Sequence, residues 1–152
     1  MSLTGMEELG SGITRGARRW ALLVGIVTLL QGVWGFLLPR VFYDEFPTPG
    51  VGWVSTLGPF NDHLFRDFGS ALIGLGAIAL LAAVSGSVAA VGAAMCGFVV
   101  FGVLHLLFHL STFSEFSTVS IMVQVLSLLL FVAIPIVVLV DLRRGTPEGD
   151  PT

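Results

Sequence analysis

The chain has 152 residues, of which 55% are hydrophobic and only 11% are charged, and its mean hydropathy is +0.94. Soluble domains carry about 25% charged residues, so this composition excludes an ordinary soluble protein and predicts an integral membrane protein surrounded by lipid. The formal net charge is -3 and all seven basic residues are arginines, without the basic patch that nucleic acid requires, so no nucleic-acid partner is predicted.

Four apolar segments follow one another along the chain, each close to the ~20 residues that a spanning helix needs. They predict transmembrane helices at residues 20–38, 62–84, 88–110 and 117–140. Pro39 stops the first helix, and only "SGS" separates the second from the third, which forces these two to run antiparallel. The sequence therefore predicts an all-α membrane protein, with a bundle of four antiparallel transmembrane helices over residues 20–140.

Arginines stand just before the first predicted helix and just after the last. They are Arg15, Arg18, Arg19, Arg143 and Arg144. The positive-inside rule then places both ends of the chain in the cytoplasm, with residues 1–19 and 141–152 as short tails. The first apolar run is long and has no small-residue cleavage site after it, which indicates an uncleaved helix rather than a signal peptide.

The predicted outer loop, residues 39–61, is rich in proline and in aromatic residues. The aromatic residues are Phe42, Tyr43, Phe46, Trp53 and Phe60. Amphipathic rings favour the headgroup level of a membrane, so this loop is expected to lie along the outer interface, in part as a short helix. Two roles fit it: a belt that anchors the bundle, or a lid over a site.

Polar residues of all four helices converge on one depth. At 1.5 Å per residue, Asp67 of the second helix lies roughly 7–8 Å below the outer surface. Gln31, Gln124 and His105 lie at a similar depth on the other three helices, and His109 lies one turn further out. No comparable layer occurs in the cytoplasmic half. The sequence therefore predicts a polar pocket that opens toward the outside.

The start of the second helix, "NDHLFRD", adds candidate ligand-binding residues to this pocket: Asn61, His63 and Arg66. Asn61 is the expected N-cap. His63, Asp67, Ser70 and Gly74 recur at spacings of three and four, and this stripe is expected to face the bundle interior.

Asp67 is the central candidate, because an ionisable side chain inside a membrane is costly and indicates function. Its predicted partner is His105 across the helix pair, or Arg40 at the end of the first helix. The alternative is that these groups only tie the helices together by hydrogen bonds.

Two classes of ligand fit these residues. The pairs His63 with Asp67 and His105 with His109, each four residues apart, would together supply four ligands to zinc, copper or iron. A quinone, a lipid head group or another amphiphile would use the same polar groups with an apolar slot for its tail. Haem is a variant, with His105 or His109 as its axial ligand.

Other roles depend on the rest of the chain. A transporter or proton relay is disfavoured, because no polar path continues through the inner half. An accessory subunit of a larger membrane complex, or a homo-oligomer, would use the small-residue stripe of Ala89, Ala93 and Gly97 to pack. Cys96 lies near mid-membrane without a nearby base, and the sequence assigns no reaction.

Three stretches carry a family resemblance: "FLLPRVFYDEFP", "GPFNDHLFRDFGSALIGLG" and "VLHLLFHL". They resemble a family of small bacterial four-helix membrane proteins that share an N-[DE]-H-L-x-R-D-x-G segment and a later H-x3-H. More distantly, the chain is similar to the DoxX-like small membrane proteins, some of which are associated with quinone-linked redox complexes. The resemblance implies a four-helix fold in the bacterial plasma membrane and names no substrate. The residues of this chain that match the shared pattern, and that the resemblance implies as site residues, are Asn61, His63, Arg66, Asp67, His105 and His109.

Overall fold

The computed structural model describes residues 12–145, which form five α-helices and one 3-10 turn, with no strand in this range. These elements are α1 (Arg15–Leu37), α2 (Pro39–Glu45), α3 (Asp62–Ser85), α4 (Val88–Leu110), the 3-10 turn (Phe113–Glu115) and α5 (Thr118–Gly145). All the α-helices except α2 are long and apolar enough to cross a membrane. The predicted all-α fold with four spanning helices is confirmed, and the chain is a multi-pass membrane protein.

The first and last spanning helices extend beyond their predicted bounds. Helix α1 begins at Arg15, where the Thr14 side chain caps it by accepting a hydrogen bond from the Ala17 backbone N–H at 3.0 Å. Helix α5 continues to Gly145, and the Thr14 hydroxyl donates to the Asp141 carboxylate on it. Arginine stems are apolar, so a helix can continue through them to the membrane surface. Residues 1–11 and 146–152 of the predicted tails lie outside the described range.

The chain reverses sharply between α3 and α4. Gly86 adopts the left-handed conformation, with φ 69°, and ends α3. The next residue, Ser87, caps α4 by accepting a hydrogen bond from the Ala90 backbone N–H at 3.2 Å.

The predicted outer loop begins with the short helix α2. Pro39 is its first residue, a position where the N–H that proline lacks would have no partner within the helix.

Glycines bring the backbones of α1 and α3 into direct contact. A Cβ atom added to Gly69 would lie 2.6 Å from the Phe36 backbone nitrogen, and one added to Gly32 would lie 2.6 Å from that of Ile73. Small residues allow such close approach in lipid, where helices associate through packing. The α1–α3 contact is the most extensive in the bundle.

The four spanning helices form a ring in which α1 contacts α3 and α5, and α4 contacts the same two helices. The buried apolar core lies where α1 and α4 begin and where α3 and α5 end. Its residues are Ala17, Ala21, Val24, Ala79, Ala82, Ala83, Val91, Ala94, Met95, Phe98, Val138 and Leu142. We call this the terminal half of the bundle, because it holds both described ends of the chain. The opposite half is the distal half, and it contains a cavity.

Candidate functional site

The cavity in the distal half has a volume of about 660 Å³. All four spanning helices line it, together with α2 and the segment that follows α2. Its walls are mainly aliphatic and aromatic, and no Asp, Glu, Lys or Arg is among the described residues that line it. The site is therefore apolar and uncharged, with a few polar groups.

The polar groups of the cavity include four residues predicted from their depth. The structure places Gln31 on the α1 wall, His105 and His109 on the α4 wall, and Gln124 on the α5 wall. Gln31, His105 and Gln124 lie together because each is five or six residues from the distal end of its own helix, and His109 lies one turn further out on α4. Thr28 and Ser127 also line the cavity.

His109 and Gln124 form the best-defined polar pair of the site. Their Nδ1 and Oε1 atoms are 3.0 Å apart. An amide oxygen can only accept, so Nδ1 of His109 carries the proton and donates it. In the neutral imidazole the Nε2 atom of His109 then has a lone pair, with which it can accept a hydrogen bond from a ligand or bind a metal ion.

Three buried side-chain atoms of the described residues have no hydrogen-bond partner: Thr28 Oγ1, Trp53 Nε1 and Gln124 Nε2. All three belong to residues that line the cavity. Gln124 is only 1% exposed, so its amide N–H groups cannot reach bulk solvent. A buried polar group without a partner costs about 1–3 kcal/mol. These three atoms have almost no accessible surface, so a ligand in the cavity would contact them only after the neighbouring side chains shift.

His105 is held by aromatic contacts and makes no hydrogen bond to another described residue. Its ring stacks on that of Phe101, with centroids 5.6 Å apart, and meets the ring of His109 edge to face at 4.6 Å. The two imidazoles are thus neighbours on one wall of the cavity.

His63 and Asp67 do not reach the cavity. They pair with each other at 3.2 Å, with side chains 88% and 64% exposed. The prediction that their stripe faces inward is wrong: a Cβ atom added to Gly74, on the same stripe, would meet nothing within 4 Å. Helix α3 instead turns its glycine stripe, with Gly69 and Gly76, toward α1, because those residues allow the closer approach.

The predicted partners of Asp67 are also wrong. His105 lies on the cavity wall, and Arg40 pairs with Asp44, with Nε and Oδ2 2.7 Å apart. The described residues contain no group of three or more His, Cys, Asp or Glu side chains placed to hold a metal ion. The predicted metal site of His63, Asp67, His105 and His109 is therefore not assembled.

Asn61 and Arg66 shape the entry of α3 rather than the cavity. Asn61 caps the helix as expected, accepting a hydrogen bond from the Leu64 N–H at 3.1 Å. Arg66 donates to both carboxylate oxygens of Asp62 and, at 2.9 Å, to the carbonyl of Phe36. That carbonyl belongs to the last turn of α1, where helix carbonyls have no partner within the helix.

Aromatic rings from α1, α2 and the following segment cover the distal end of the cavity. Phe42 lies 5.3 Å from Trp34 and 4.7 Å from Phe46, and Phe46 lies 6.4 Å from Trp53, between ring centroids. Of the two roles predicted for this segment, the geometry favours the lid. Sequence reasoning missed Trp34 and Phe101, because an aromatic residue on a membrane helix carries no signal that separates a cavity wall from a lipid contact.

Comparisons with known proteins give no further assignment. No protein-family model, curated protein or solved structure matches the chain. The resemblance to the four-helix family and to the DoxX-like proteins stays a prediction.

Proposed function

We propose that this protein binds a neutral amphiphile with a carbonyl-bearing ring, of the quinone class, in the distal cavity. The observation that carries the proposal is a large apolar cavity whose lining residues include three with an unpartnered buried polar atom, Thr28, Trp53 and Gln124. Both Trp53 Nε1 and Gln124 Nε2 can only donate, so the ligand they favour presents acceptors. Quinone carbonyl oxygens are acceptors of this kind.

The size and charge of the cavity support the same class. Ligand cavities occupy about 300–1,000 Å³ and are mostly apolar with a few polar groups, as this one is at about 660 Å³. The absence of charged residues from its described lining disfavours a phosphate or carboxylate, because a buried charge needs a partner. A quinone ring therefore fits the cavity better than a phospholipid head group does, and better than haem, which carries two carboxylates.

Aromatic side chains supply the contacts that a planar ring favours. Trp34, Phe42 and Phe101 line the cavity from three helices. Aromatic pairs prefer offset-stacked or edge-to-face contacts, each worth about 0.5–1.5 kcal/mol beyond simple burial. On the α4 wall, His109 Nε2 would accept a hydrogen bond if the ring carries a hydroxyl.

The packed terminal half disfavours transport through the bundle. Among the described residues, the buried polar side chains are those of Thr28 and Gln124, and both line the distal cavity rather than the terminal half. We therefore infer a binding protein whose site reaches one membrane face only. In the orientation favoured by the flanking arginines, with both ends in the cytoplasm, the cavity lies in the outer leaflet. The family resemblance would make that membrane the bacterial plasma membrane.

A fluorescence titration tests the proposal. Trp34 and Trp53 line the cavity, so a pentyl-tailed dimethoxy-methyl-benzoquinone bound there should quench their emission saturably in nanodiscs. Gln124→Met keeps the side-chain volume and removes the unpaired N–H, and it should raise the Kd by about threefold to tenfold, the worth of one hydrogen bond. His109→Phe removes the hydrogen bond that positions Gln124 and places a larger ring on the cavity wall, and it should weaken binding by a similar factor.

The matched control is His63→Phe, the same substitution on an exposed histidine outside the cavity. It should leave the Kd unchanged. A wild-type protein without saturable quenching would overturn the proposal and favour an accessory subunit without a site of its own. If His109→Phe and His63→Phe bound the benzoquinone with equal affinity, the ligand would lie outside the distal cavity.

A further inference from the structure

Among the exposed residues that line the cavity, three aliphatic ones lie along the boundary between α1 and α5. Val27 and Leu30 of α1 are 43% and 63% exposed, and Val123 of α5 is 49% exposed. A side chain that lines a cavity and also faces the surroundings marks an opening. In a spanning bundle the surroundings at this depth are lipid.

The other boundaries of the distal half are closed more firmly. Backbone contact at Gly32 and Gly69 seals α1 against α3. Between α4 and α5, a Cβ atom added to Gly102 would lie 2.9 Å from Val132, and the His109–Gln124 hydrogen bond spans the same pair. These two boundaries leave no room for a ligand to pass.

The remaining boundary, between α3 and α4, is the second opening by the same criterion, and a large ring narrows it. Phe108 lines the cavity there and is 54% exposed. The distal half of the α1–α5 boundary carries the aliphatic residues Val27, Leu30 and Val123 and the small, exposed Ser127, with Trp34 one turn beyond Leu30. In the terminal half it is closed by the shared core, where Ala21 and Val138 are fully buried, and by the Thr14–Asp141 hydrogen bond.

We propose that the ligand enters the cavity sideways from the membrane, through the gap between α1 and α5 bounded by Val27, Leu30 and Val123. This rests on the proposed function. The ligand then reaches the site directly from the lipid around the distal half. The apolar tail of the ligand does not pass through water. The aromatic cover formed by α2 and the following segment closes the route from the aqueous side, with Phe46 and Trp53 above the site.

Binding kinetics in proteoliposomes test this route. The double variant Val27→Phe/Val123→Phe narrows the gap, and both the association and the dissociation rate of the pentyl-tailed benzoquinone should fall by about tenfold or more. A fall in both rates, rather than in the association rate alone, is the signature of a narrowed route, whatever change the added rings make to the Kd. The matched control is Val100→Phe on α4, which is 61% exposed and does not line the cavity. Rates equal to those of this control would overturn the route.

A second measurement uses the wild-type protein and does not depend on the variant folding. Benzoquinones with pentyl, heptyl and decyl tails are compared at equal mole fraction in the membrane. Entry from lipid predicts association rates that agree within about threefold, whereas entry from water predicts a fall of about fourfold per added methylene, as the aqueous concentration drops. Such a fall overturns sideways entry and leaves the proposed function intact. A wild type that binds none of the three at equilibrium overturns the proposed function itself.

Discussion

Gln124 is the residue on which the proposed site depends most, because its two amide atoms differ in what they contact. Its Oε1 accepts from His109 at 3.0 Å, while Nε2 is buried without a partner. Thr28 contributes a second unpartnered group, a hydroxyl with no exposed surface. Such groups lower the stability of the ligand-free protein, and the lost free energy is regained when a ligand supplies the missing hydrogen bonds. The same atoms therefore link stability to binding.

This link predicts opposite effects of Thr28→Val on stability and on binding. Valine has the shape of threonine without the hydroxyl, so the ligand-free protein should gain about 1–2 kcal/mol of stability. Its Tm in detergent should rise, and the further rise caused by the benzoquinone should shrink. Thr118→Val, on an exposed threonine at the start of α5, should change neither quantity. A lower Tm for Thr28→Val would show that the hydroxyl already has a partner, such as bound water.

At the scale of elements, the contact between α1 and α3 is the rigid wall of the site. It is built by glycines, and its backbones are too close for any added side chain at Gly32, Gly69 or Gly76. This contact decides how α3 is rotated, and therefore which of its side chains face lipid. The exposed pair of His63 and Asp67 is a consequence of that rotation.

The glycine contact predicts a large difference between two alanine variants of α3. In Gly69→Ala the new Cβ atom would lie 2.6 Å from the Phe36 nitrogen and 2.8 Å from the Gly32 oxygen, so the helices must separate. The expected loss is roughly 1–3 kcal/mol of stability, measured as a lower Tm in detergent. Gly74→Ala meets nothing within 4 Å and should be neutral or slightly stabilising. Equal Tm values for the two variants would contradict the packing.

The helices themselves were predictable, whereas the rotation of α3 was not. Apolar length locates a spanning helix, and the "SGS" turn between α3 and α4 forms as expected around Gly86. The side of a helix that faces the bundle interior is harder to predict in a membrane. Lipid and protein interior are both apolar, so hydrophobicity does not separate them. Two stripes of α3 carry small residues, one through Gly74 and one through Gly69. Only the fit against α1 selects between them.

At the scale of the whole molecule, one half of the bundle is packed and the other half is open. The terminal half is built from alanine and valine with Met95 and Phe98, and it holds the four helices together. The distal half surrounds the cavity with large aromatic residues and a polar layer. Depth along each helix predicted that layer for Gln31, His105 and Gln124, because depth follows from topology alone. The aromatic cover depends on how α2 folds back, which no local pattern specifies.

Covalent labelling locates the ligand in the assembled protein. An azido derivative of the pentyl-tailed benzoquinone is irradiated with the protein in nanodiscs, and the modified residues are identified by mass spectrometry. We expect adducts in the cavity walls, at residues 101–109 of α4 and 123–131 of α5, that disappear when excess unlabelled benzoquinone is present. Adducts scattered over the lipid-facing surface and unaffected by the competitor would contradict a quinone site in the distal cavity.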